Sequence, residues 1–345
     1  MNIIDIISAI NEFEERFKDA AYDINKVTRF WNDYNRNPLP GELMNMEQYH
    51  ILRERMFTLL RACKRIDSDA YENIHKGHPF FFIGISSFRL RDYQTAISFF
   101  DAALSEDLKI EDGKERPTDL FFNLRGDNPK NAAQGETIIA QNTVIRSIWN
   151  YNEIISQNKA IQKLSIDQLR DCFISRILIE KDDLGFRTLL TTFITFLVEW
   201  EFRDSNFELG IKKGTAEPLF MHLFRGCVLF ESLLLRNPNR KPEHNNKKDL
   251  NDLINYYKEE MHLKKKGDFL RNPIPLKTLE KLLSNLNDSN KTIDHSIKIS
   301  YWLRNNLGHN IAWEATINRE SYRKLYYSVI YSCLHVINCL WKSPI

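Results

Sequence analysis

Near the end of the chain an arginine and a histidine stand five residues apart in one polar cluster, Arg304-Asn305-Asn306-Leu307-Gly308-His309. A guanidinium grips a phosphate with two parallel N–H donors, and imidazole is the side chain that gives or takes a proton near neutral pH. Together they suffice for RNA cleavage without a metal. A base helps the ribose 2′-OH attack its own phosphate, an acid protonates the departing 5′-oxygen, and the guanidinium neutralises the charge that builds on phosphorus. On an unbroken helix the two residues are about 140° apart around the axis and about 7.5 Å apart along it. Gly308 stands where it can end or distort the helix and let His309 turn back. Other chemistries lack their residues: there is no G-x-x-x-x-G-K-[ST], no G-x-G-x-x-G and no H-E-x-x-H. His75 and His78 lack cysteine or carboxylate neighbours at ligand spacing. No nucleophile elbow appears. Glu199 and Glu201 fall on opposite sides of a helix, a pattern for solvated or salt-bridged carboxylates.

The elements around the cluster are helical. An apolar helix carrying Ile293, Ile297, Trp302 and Leu303 leads into it, and Leu325–Trp341 follows with 17 residues free of formal charge. That length approaches a membrane span, but two serines, His335 and Asn338 are costly in lipid and the mean hydropathy of the chain is −0.44. A buried core helix is the expectation. In this context R-N-N-L-G-H resembles the HEPN superfamily, whose signature is R-x4–6-H with a polar residue after the arginine. The resemblance covers roughly residues 186–345. It implies that Arg304 and His309 are catalytic and that Asn305 is the polar residue beside them. Phe224–Leu235, FRGCVLFESLLL, looks like the family's earlier core helix, with Glu231 as its acidic residue in a looser match. An ion pair between Glu231 and Arg225 or Arg236 explains that glutamate equally well. Ile311 stands where nucleotidyltransferase-paired HEPN toxins carry tyrosine, and the first 185 residues lack the βα alternation of a Rossmann-like sensor.

Helical periodicity runs through the rest of the chain. Ile3, Ile6, Ile7, Ile10, Phe13 and Phe17 mark one stripe, and Ile51, Met56, Leu59, Leu60 and Cys63 mark another. Pro79–Ile85 and Asp119–Leu124 are apolar runs that could be strands or helix starts. Loops are expected at Glu111–Thr118, Asp204–Pro218, Asn237–Lys248 and Asn285–Thr292. Within Phe80–Ala103, small Gly84 and Ala96 flank the turn at Asp92-Tyr93, and Phe100 and Ala103 follow. This resembles one tetratricopeptide (TPR) repeat, with Leu108 where that family usually has proline. It implies a helical scaffold for binding a partner.

With 345 residues the chain is long enough for two or three domains. Only 12 glycines and 11 prolines disfavour turn-dense β architectures, and a net charge of +2 is small for a protein that wraps duplex DNA. Cys63, Cys172, Cys227, Cys333 and Cys339 are odd in number and scattered, which suits a reducing compartment. The acidic N-terminus does not read as a signal peptide. The expectation is an all-α cytoplasmic protein: a helical, partly TPR-like scaffold over 1–185 and a HEPN bundle over 186–345. Its function would be metal-independent endoribonuclease activity as a prokaryotic defence or toxin effector, with RNA as substrate and no cofactor, metal or membrane. The resemblance further implies a homodimer with a composite site, and a partner or trigger could act at the N-terminal region. A non-catalytic adaptor that dimerises or binds nucleotide, RNA or protein is the alternative.

Overall fold

The computed structural model describes residues 39–66, 68–110, 115–180, 183–207, 217–239, 249–263, 292–309 and 317–342, with Ser8, Asn11, Glu12, Glu15 and Leu283 as isolated positions. Among these residues every regular element is a helix, so the fold is all-α. The whole N-terminal apolar stripe, most of the loops expected at 237–248 and 285–292, half of that at 111–118 and position 311 lie outside the described residues. Chain contacts divide the protein into two compact units, 1–138 and 139–345, so the division falls well before the 185/186 boundary expected from the sequence.

The first unit contains α1 (Leu39–Asn45), α2 (Tyr49–Ile66), α3 (Ser68–Asn73), α4 (Gly77–Arg89), α5 (Tyr93–Asp107) and α6 (Pro117–Phe122). Both ambiguous apolar runs are therefore helical, because their phenylalanines face a shared helical core. α4 and α5 form the expected hairpin, and α4 also packs on α2. The turn is made by Arg91, at φ 62, and by Asp92, whose carboxylate accepts the Thr95 N–H at 3.4 Å. Gly84 is required by the crossing itself: a Cβ there would sit 2.5 Å from the Phe100 ring. Ala96, Phe100 and Ala103 are fully buried around it.

The division between units falls within α7 (Gln134–Ile155). α8 (Ile166–Leu169) then passes through a π-helical turn at Arg170–Ile174 into α9 (Ser175–Ile179). The core of the second unit is α10 (Leu184–Asn206), α11 (Glu217–Leu235), α13 (Ile293–His309) and α14 (Arg319–Leu340), with the short α12 (Leu250–Tyr256) against α11. Residues 204–206 and 217–218 are helical, so the loop between α10 and α11 is shorter than expected.

The uncharged run from Leu325 onward is a core helix, buried at nearly every position from Leu325 to Leu340. Several of its polar groups have partners inside the unit. His335 donates from Nε2 to the Met261 carbonyl at 2.8 Å, and its Nδ1 faces the Tyr151 hydroxyl at 2.9 Å. Asn338 donates to Tyr151 and to the Gln162 carbonyl. Ser332 accepts from Ser300 of α13 at 2.9 Å. α11 is the one described helix long and apolar enough to cross a membrane, and half of its apolar window is buried in the protein.

A second histidine is held in the same way. His222 donates from Nε2 to the Phe196 carbonyl at 2.8 Å and meets the Tyr322 hydroxyl at 2.8 Å, stacked on Phe196. Burial lowers His222 to about 3 and His335 to about 4, both well below the usual 6.5. In the unfolded chain both protonate from about pH 6.5 downward, whereas the folded chain keeps them neutral. Their stabilisation is therefore complete above pH 6.5 and is lost as pH falls toward 4 and then 3. The expected slope is about 1.4 kcal/mol per pH unit for each histidine in that window. Urea unfolding at pH 7, 5.5 and 4.5 reads it directly. His335→Gln, which keeps a donor for Met261 but does not titrate, should remove about half of the slope; an unchanged slope would count against this account.

Candidate active site

Three of the four residues singled out by sequence meet the described structure directly. α13 places Trp302 and Leu303 in the core and leaves Arg304 and Asn305 half-buried on the opposite side. Arg304 reaches α11 and grips Glu231 with two parallel bonds, Nε to Oε2 at 2.8 Å and Nη2 to Oε1 at 3.1 Å. This is the fork geometry that matches a planar guanidinium to a carboxylate. Glu231 is thus ion-paired, but with Arg304 and not with either arginine nearer in sequence. Arg225 pairs instead with Glu199 at 2.9 Å, and Arg236 with Asp183 at 3.2 Å.

The local reason lies in α11. Gly226 lets α11 approach α10 and α14 so closely that a Cβ there would lie 2.5 Å from the Phe196 ring and 2.7 Å from Val329. Five residues later Glu231 is nearly buried, at 9% exposure, and needs a cation to stay there. Arg304 supplies it while its own side chain remains 35% exposed. Two of the five guanidinium donors are used on Glu231, and the other three have no partner among the described residues. Among the described residues it is Asn306 that is hydrogen-bonded, its amide donating to the Trp302 carbonyl at 2.8 Å.

Gly308 does not end the helix. α13 continues through it to His309, and Gly308 lies against Phe224 at ordinary contact distance. A helix needs no break at glycine when it costs only about 1 kcal/mol relative to alanine. Positions 304 and 309 therefore keep their offset of about 140° around the axis. The His309 side chain lies outside the described residues.

Glu199 and Glu201 are both salt-bridged. Glu199 takes Arg203 and Arg225, and Glu201 takes Arg146. Among the described residues no three His, Cys, Asp or Glu side chains cluster as metal ligands. Sequence reading passes over Asp204, which lies at the end of α10 and binds Arg319 and Arg323 together, at 2.8 and 2.6 Å. The only local sign is a pair of arginines four apart just after the helix-capping Asn318. These two guanidiniums hold the Asp204 carboxyl at about 2, below the usual carboxylate range.

Comparison with protein-family models, with curated proteins and with solved structures finds no match to this chain. The chemistry of the site therefore rests on its own residues.

The pair's energetic role is open to a double-mutant cycle. Glu231→Gln and Arg304→Gln should each lower unfolding stability by about 1–3 kcal/mol, because each leaves a partly buried charge without its partner. The double variant should recover part of that loss, giving a coupling of about 1–3 kcal/mol. Strict additivity in denaturant unfolding would mean that the two side chains do not support one another.

Proposed function

We propose that the second unit is a metal-independent endoribonuclease whose chemistry is carried by Arg304 and His309. One observation carries this reading: Arg304 is fixed in orientation by Glu231, yet keeps three donors and a third of its surface for a ligand. Fixed orientation is what transition-state stabilisation asks of a phosphate-binding group, since it costs no reorganisation during reaction. Glu231 is a positioning residue in this mechanism. His309 moves the proton, as base toward the 2′-OH or as acid toward the 5′-oxygen, and Asn305 stands beside the arginine as a further polar contact. The sequence resemblance to HEPN ribonucleases adds a role in defence or as a toxin.

The helix offset supports the reading that a second copy completes the site. A single chain places its arginine and histidine about 140° apart on one helix, whereas in-line displacement needs groups on both sides of the phosphate. Two chains across a two-fold axis supply two arginines and two histidines to one cleft. In this reading the α4–α5 hairpin serves recognition, since its close-packed crossing gives a rigid helical surface and no comparable catalytic group lies there.

Purified protein should cut single-stranded RNA in EDTA and leave a 2′,3′-cyclic phosphate and a 5′-hydroxyl. A 2′-deoxy substitution at the cut nucleotide should stop it. Strict Mg²⁺ dependence, or equal cutting of DNA, would overturn the mechanism. Arg304→Lys keeps the charge but not the fork, so it should lose about 100-fold or more in kcat/KM while its circular dichroism is unchanged. Near-normal turnover would make Arg304 structural.

The dimer has its own measurement. Mixing His309→Ala chains into wild type should lower activity beyond simple dilution as subunits exchange. A monomer by light scattering with full specific activity would end the composite-site model.

A further inference from the structure

A cavity of about 180 Å³ lies in the second unit between α7, the start of α13 and the first half of α14. Ile154 and the rings of Tyr327 and Tyr331 give it an apolar wall, and the more exposed Glu320, Arg323 and Lys324 mark its mouth. The two tyrosines stand one turn apart on α14, with their rings nearly parallel at 21° and their centroids 5.7 Å apart. An apolar cavity of about 150 Å³ takes one benzene ring. The space beside the tyrosines is therefore that of a single aromatic ring.

The polar groups around it narrow the choice of ring. Tyr331 is only 7% exposed, and its hydroxyl has no hydrogen-bond partner among the described residues. A phenol buried that far ordinarily has one, and the cavity it lines is where one can enter. At the mouth both cations are already paired, Lys324 with Glu320 at 2.7 Å and Arg323 with Asp204 at 2.6 Å. No bare charge meets an incoming ligand. The Lys324–Glu320 pair nevertheless presents a donor and an acceptor side by side, because the Glu320 side chain is 78% exposed. A neutral planar ring with donors and acceptors along its edge matches this set, and a nucleobase has that form.

We infer that this cavity takes one nucleobase, its face against Tyr327 and Ile154 and its polar edge on the Tyr331 hydroxyl and the Lys324–Glu320 pair, with the sugar left outside. Two sources share that chemistry, a free nucleoside and an unstacked base of an RNA strand. Only the strand source rests on the ribonuclease reading above.

The test uses the full chain carrying His309→Ala, so that RNA is bound without being cut. Adenosine and uridine, each to about 1 mM, and a single-stranded RNA of about 12 nucleotides are followed by titration calorimetry. Tyr331→Phe removes no hydrogen bond from the fold and should weaken binding about fivefold. Ile154→Trp fills the cavity from a half-buried position on α7 and should abolish binding. Ile145→Trp, the same change on the exposed face of that helix, should stay within about twofold of the parent. If a nucleoside binds and both cavity variants weaken it, the site stands with a free ligand. If only the strand binds, and the same two variants weaken it, the site stands with RNA as its source. If the parent chain binds no probe, or if either cavity variant binds like the parent, the inference falls. RNA cutting by the chain with His309 intact is read separately. A chain that binds nucleosides through the cavity but cuts no RNA keeps this site and loses the ribonuclease reading.

Discussion

A helix buried around most of its circumference needs partners inside the protein for most of the polar groups it carries, and α14 imposes that demand on the second unit. His335 is held by Met261 and Tyr151, Asn338 by Tyr151 and Gln162, and Ser332 by Ser300. The bonds reach several elements, so the polar groups of one helix fix where α7, α13 and the turn after α12 must lie. An unpartnered polar group at such a position costs about 1–3 kcal/mol, several times the gain from a made bond in excess of its hydration. The network thus selects one arrangement of neighbours more than it adds stability.

The same logic reaches the candidate site. Close approach of α10, α11 and α14, permitted by Gly226, draws Glu231 almost out of water. A carboxylate there requires a cation, and the cation comes from the next core helix as Arg304. Packing therefore dictates where the guanidinium points before any substrate arrives. The aromatic stack of Trp200, Tyr326, His222 and Phe196 lies behind it and gives α10, α11 and α14 a rigid common wall.

Much of this was legible in the chain, and the rest was hidden for identifiable reasons. Periodicity and the scarcity of glycine and proline gave the helices; small Gly84 and Ala96 gave the α4–α5 crossing. The uncharged run at Leu325 read correctly as core because its histidine and asparagine have no place in lipid. The partner of Glu231 could not be read, since Arg225 and Arg236 are near in sequence and Arg304 is not; side-chain direction on two separate helices decides it. Gly308 permits a helix stop without requiring one, and α13 runs through it to His309, the last residue described there. The unit boundary at 138/139 falls inside a continuous helix, where composition leaves no mark. Asp204 escaped because its significance lies in two arginines more than a hundred residues away.

The charges of the second unit complete the argument. Glu199 holds Arg203 and Arg225, Asp204 holds Arg319 and Arg323, Glu231 holds Arg304, and Glu201 holds Arg146. Six arginines thus meet four carboxylates on the core helices and α7, while the whole chain is nearly neutral at +2. Positive charge carried by arginines locked to carboxylates differs from charge carried by free lysines. Its direction is fixed, its side-chain entropy is already spent in folding, and it cannot be titrated away at any physiological pH. In the ribonuclease proposed above, such charges would meet a polyanion at specific points without making the protein basic overall. Binding in one register, not loose accumulation, is the condition that the proposed pair, Arg304 and His309, needs if it is to meet one phosphate at a time.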